Sequence, residues 1–89
     1  MKRYKVAAMQ IDNENVAVIW IDIKYKTKDN DIKKYIEFFK KILDVNEIVI
    51  FMIDMLEQTM FYGRPDIVEK LKKNSWRKFP WQEYALEEN

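Results

Sequence analysis

The chain contains no cysteine and no histidine. Without cysteine there is no disulfide framework, no thiolate metal site and no thiol nucleophile. Without histidine the usual zinc ligands are gone, as is the one side chain that ordinarily titrates near neutral pH. Triads with histidine as the base are excluded. Aliphatic hydroxyls are scarce too, limited to Thr27, Thr59 and Ser75. Any chemistry therefore rests mainly on Asp, Glu, Lys, Arg or Tyr. No glycine-rich loop or Walker pattern supports nucleotide binding. Long apolar runs are also missing. The basic start, Met1-Lys2-Arg3-Tyr4-Lys5, leads into Val6 to Ile11, which Gln10 interrupts and Asp12-Asn13-Glu14-Asn15 follows. That pattern is neither a signal peptide nor a membrane span, so the expected compartment is the cytoplasm.

What is present is globular. The 89 residues are 48% hydrophobic and 35% charged at a formal net charge of +1. Such a mixture can bury a core, and the length allows one domain over residues 1–89. Aromatic residues make up 15%, with three tryptophans, which helps a small unstapled domain bury enough apolar area. Lysine is preferred over arginine and isoleucine over leucine, as in AT-rich genomes, those of many phages among them.

Periodicity divides the chain into six elements. Tyr4 to Ile11 and the β-branched run Val16 to Tyr25 read as a hairpin around a four-residue loop, Asp12 to Asn15. From Asp31 the spacing of Ile32, Tyr35, Ile36, Phe39, Ile42 and Leu43 is helical, with Asn46 expected as a left-handed cap. Ile48 to Ile53 is continuously apolar, the pattern of a central strand buried on both faces. Asp54 to Tyr62 fits either a short helix or, the reading taken here, a turn around Asp54-Met55-Leu56 and a fourth strand, Gln58 to Tyr62. Gly63-Arg64-Pro65-Asp66 then opens a second helix, with Pro65 suited to its first position and Asn74 to its stop. The predicted fold is α+β, in the order ββαββα. It has a four-stranded, mainly antiparallel sheet, both helices on one face and an aromatic C-terminal tail.

That arrangement leaves a second sheet face uncovered. Trp20 with Val16 and Val18, and Val49 with Phe51 and Ile53, would form an apolar patch of a size that soluble monomers rarely expose. Two covers are available, the chain's own tail at Trp76 to Tyr84 or a partner, which can be a second copy.

Other constellations are weaker. Lys73, Trp76, Arg77, Lys78 and Trp81 interleave cations with aromatics, as single-strand nucleic-acid binders do. The plainer reading is cations at a helix C-terminus and aromatics in the core. Lys24, Lys26 and Lys28 form a second basic stretch, more simply a charged edge strand. Tyr62 and Arg64 beside a helix N-terminus could hold an anion, but an Arg64–Asp66 or Arg64–Glu contact holding the turn is the more ordinary account. Asp22 and Asp54, with Asp12 or Glu57, could hold Mg²⁺ if their strands are neighbours.

The sequence thus points to a small non-enzymatic binding protein acting through protein–protein contact, as a regulator, adaptor or inhibitor. A phage or mobile-element inhibitor fits the size and composition. The expected binding residues are Trp20, Phe51, Tyr62, Arg64, Lys73, Trp76, Arg77, Lys78 and Trp81, with no cofactor and no metal. The alternatives are a nucleic-acid-binding module using the Lys/Trp segment, and a small metal-dependent enzyme using Asp22 and Asp54.

Overall fold

The computed structural model describes residues 2–21 and 29–86. It is an α+β protein with one mixed, five-stranded sheet in the order β4-β3-β2-β1-β5. The strands are β1 (Lys2–Ile11), β2 (Glu14–Trp20), β3 (Glu47–Ile53), β4 (Thr59–Tyr62) and β5 (Trp81–Leu86). The helices are α1 (Asp29–Ile42), between β2 and β3, and α2 (Pro65–Lys72), after β4, with a 3-10 turn at Trp76–Lys78.

Three of the four strand pairings are antiparallel, but β2 and β3 run parallel. The reason is α1. Its 14 residues carry the chain back along the sheet, so β3 starts at the same end as β2. The expected four-stranded, mainly antiparallel sheet is thus a five-stranded mixed one, with a strand–helix–strand crossover at its centre.

The two helices cover opposite faces of the sheet, not one. Ile32 and Phe39 of α1 pack on Tyr4, Val6, Ala17, Ile19, Ile48, Ile50 and Met52. Ile67, Val68 and Leu71 of α2 pack on Ala7, Val16, Val18, Val49 and Phe51. Strands apolar on both faces demand a layer on each side, and the central pair has that composition. The tail supplies the rest of the second layer. It forms a fifth strand, in which Trp81 lies opposite Ala7 and Tyr84 opposite Tyr4.

Local chemistry sets the connections. The β1–β2 hairpin turns on two residues instead of four, Asp12 (φ 51°) and Asn13 (φ 67°), both left-handed, so Glu14 and Asn15 belong to β2. Asn46 is not left-handed. Its N–H donates to the Asn15 carbonyl at 2.8 Å, and its Oδ1 accepts the Asn15 N–H at 2.9 Å. This clasp sets the start of the parallel ladder, Val16 opposite Glu47. Gly63 is required for proximity, not for dihedral freedom. A Cβ there would lie 3.0 Å from Val49 Cγ2 and 3.2 Å from the Ile48 carbonyl oxygen.

Candidate functional site

The aromatic residues expected to bind are mostly occupied with one another. Phe51 is fully buried, and Trp20, Trp76 and Trp81 are half-buried around it. The Trp20 ring centre lies 5.4 Å from Phe51 and 5.3 Å from both Trp76 and Trp81, in edge-on or tilted contacts. The Trp81 indole N–H donates to the Trp76 carbonyl at 2.8 Å, which locks the tail against the sheet. Lys5 and Arg77 lie over the outer rings, 4.8 Å from Trp20 and 4.6 Å from Trp76. Of the two covers the sequence left open for this face, the chain supplies its own.

Exposed apolar surface is found elsewhere, at the tip of the β3–β4 hairpin. Met55 is 95% and Leu56 78% exposed. Leaving such side chains in water forgoes roughly 1.5–3 kcal/mol each relative to burial. The loop that presents them is well tied. Asp54 Oδ1 accepts the N–H of Leu56 at 2.9 Å and of Gln58 at 2.8 Å. The Asp54 N–H donates to the Gln58 carbonyl, and the Glu57 N–H to the Asp54 carbonyl. Glu57 takes a left-handed conformation (φ 62°) to close the turn. Two large apolar side chains therefore project from a backbone that is already ordered. The sequence placed the turn here but not the surface. The available signal was a Met-Leu pair in mid-turn behind a capping aspartate.

The hairpin's second strand continues this surface. Among the described residues nothing pairs with the outer side of β4. Antiparallel pairs alternate between bonded and non-bonded, and the Asp54–Gln58 pair is bonded. With Met52 opposite Met60 and Ile53 opposite Thr59, the peptide groups of Thr59 and Phe61 point outward from the sheet. Alongside runs a cleft of about 530 Å³ between β4 and the first half of α1. Its apolar lining comes from Ile32, Ile36, Ile48 and Tyr62, with Lys33, Glu47 and Arg64 as polar edges.

At the far end of this cleft sits an ion cluster. Arg64 Nε donates to Asp66 Oδ1 at 2.7 Å, while Nη1 donates to Glu14 at 3.0 Å and Glu47 at 3.4 Å. Arg64 Nη2 also bonds Glu14. These hydrogen bonds from Arg64 hold the Glu14 and Asp66 carboxyls below their ordinary range. In return Glu14, then Asp66, raises Arg64 further above its own. Both the turn-fixing reading of Arg64 and its pairing with Asp66 are seen here. The guanidinium is occupied by carboxylates, and three carboxylates face one cation.

Lys73 and Lys78 edge a second groove, of about 660 Å³, with Lys70, Met9, Ile11, Leu71 and Phe79. Lys70 is ion-paired to Asp12. The second basic stretch, Lys24 to Lys28, lies outside the described residues, as does Asp22. Asp54 is engaged in its loop, and Asp12 belongs to the β1–β2 turn at the opposite end of the sheet. Among the described residues no group of three or more acidic side chains could hold a metal ion. No helix among them is long and apolar enough to cross a membrane.

Comparison with protein-family models, curated proteins and solved structures finds no match to this chain.

Proposed function

We propose that this is a non-enzymatic binding protein, a regulator, adaptor or inhibitor, that docks on another protein through its β3–β4 hairpin. The observation that carries the reading is the Met55–Leu56 tip, where nearly bare apolar side chains stand on a loop ordered by Asp54. An ordered loop loses little backbone entropy on binding, so burial of the two side chains is offset only by their own rotamer entropy and the rigid-body cost of association. Apolar anchors of this kind dominate many protein interfaces.

The test is cross-linked capture from native cell extract after nuclease treatment, using the wild type and Met55→Asp/Leu56→Asp. A protein retained by the wild type and lost with the double variant, at unchanged circular dichroism, supports the reading. Equal retention by both excludes the tip. Self-association, the other protein-contact reading, would appear as a concentration-dependent mass in light scattering that the double variant abolishes.

A nucleic-acid-binding module is the second reading, favoured by the groove edged by Lys70, Lys73 and Lys78. Against it, Trp76 and Trp81 are packed on Phe51 at 5.4 and 5.6 Å, where a stacking platform would need a free ring face. Loss of all captured material on nuclease treatment would favour this reading.

A further inference from the structure

Resting on the hairpin as the docking element, we propose that the partner contributes an extended peptide segment that adds as a sixth strand to the outer edge of β4. It seats an apolar side chain in the cleft beside α1 and places a lysine or arginine against the Glu14–Glu47–Asp66 cluster.

Three observations converge on this occupant. The first is the backbone. Thr59 and Phe61 turn their N–H and carbonyl groups away from β3, and strand addition needs such a ladder. The second is shape. The cleft between β4 and α1 runs beside that edge and is lined by Ile32, Ile36, Ile48 and Tyr62. Side chains of an added strand alternate, so every second one would face α1 and the cleft. The third is charge. At the cleft's end three carboxylates surround Arg64, so these four groups together carry two more negative charges than positive. Lys33 lines the α1 lip of the same cleft. A cation on the incoming strand would complete the cluster, and an acidic residue there would be repelled.

Among the described residues this combination is found at the β4 edge. The β5 edge is longer, but the cleft and the ion cluster are both at β4. Nor does a second copy of this chain fit well. Antiparallel pairing of β4 with itself would set each carboxylate cluster against the other copy's Asp54–Gln58 turn, which brings the further acids Asp54 and Glu57.

The test uses a random heptapeptide library displayed on a carrier and selected on the intact protein, followed by amide NMR with the enriched peptides. The expected peptides alternate apolar residues and carry at least one lysine or arginine. Their binding should shift the amides of Thr59 and Phe61 and slow their hydrogen exchange. Thr59→Pro removes one outward N–H at an exposed, strand-opening position, where proline is tolerated. It should weaken binding about fivefold, the effect of one hydrogen bond. Asp66→Asn, with the fold checked by the unshifted core amides, should selectively weaken the cationic peptides.

Enriched peptides that shift only Met55 and Leu56 would overturn strand addition and leave the hairpin-tip reading standing. Failure to enrich any peptide, or enrichment of acidic ones, would overturn the proposal. So would concentration-dependent shifts of the β4 amides without peptide, which would assign the edge to a second copy. Loss of native-partner capture on Met55→Asp/Leu56→Asp is read separately and does not depend on any of these results.

Discussion

Two regions of this molecule are rich in apolar side chains and have opposite fates. Around Phe51, the rings of Trp20, Trp76 and Trp81 close over the sheet with centre-to-centre distances of 5.3–5.6 Å. At the hairpin tip, Met55 and Leu56 stand in water on a turn that Asp54 holds. The strongest aromatic signal in the sequence therefore went into stability, and a short aliphatic pair inside a turn was left on the surface. Tryptophan in a domain without disulfides is first of all core material. Exposure that persists where the backbone is ordered is the better pointer to a contact surface.

Several changes would break or sharpen this contrast. Phe51→Ala removes a wholly buried ring from the centre of the aromatic layer and should cost about 3–5 kcal/mol. A urea titration with unchanged slope and a lower midpoint would show it; a loss below about 1 kcal/mol would mean the layer is not the core it resembles. Gly63→Ala forces a methyl onto Val49 and the Ile48 carbonyl where β4 leaves the sheet, and should cost about 1–3 kcal/mol.

Acid acts on the ion cluster at the end of the sheet opposite the hairpin tip. Glu14 and Asp66 bind protons less readily when folded, so their contribution is complete above the ordinary carboxylate range. It is lost as the pH falls below about 4. Urea midpoints should be flat from about pH 5 to 8 and drop below that, and the drop should shrink in Arg64→Gln. A profile identical in the variant would remove Arg64 as its cause. The smallest effect on stability belongs to the tip. Met55→Asp/Leu56→Asp should change the unfolding free energy by no more than about 0.5 kcal/mol while abolishing partner capture.

Much of the framework was legible in the sequence. The central strand, both helices, the turn at Asp54 and the role of Pro65 as first residue of α2 follow from local periodicity and caps. What local pattern does not carry is which strand lies beside which. The parallel pairing of β2 with β3 depends on where α1 returns the chain, and the Asn15–Asn46 clasp joins residues 31 apart. The sequence leaves the tail open as either a cover or a binding surface, and its aromatics pack over the sheet. That Trp81 to Leu86 also pairs with β1 is hidden because Gln82 and Glu83 make it look like a surface segment. Of the expected binding residues, Phe51 is enclosed and Trp20, Trp76 and Trp81 largely pack together. Tyr62 and Arg64 sit by the cleft, while Lys73 and Lys78 line a different groove. Burial on both faces of a sheet was visible in composition, but which layer satisfies each face was not.

The pairing of β5 with β1 has a consequence for biosynthesis. Ala7 meets Trp81 only after every other strand of the sheet has been translated. Until then β1 presents an open edge and Phe51 lacks the Trp81 ring that packs on it. A nascent chain arrested short of β5 carries an unpaired strand next to an uncovered apolar face, the combination most prone to aggregate. Synthesis of β5 is thus the step that makes the rest of the sheet safe to expose.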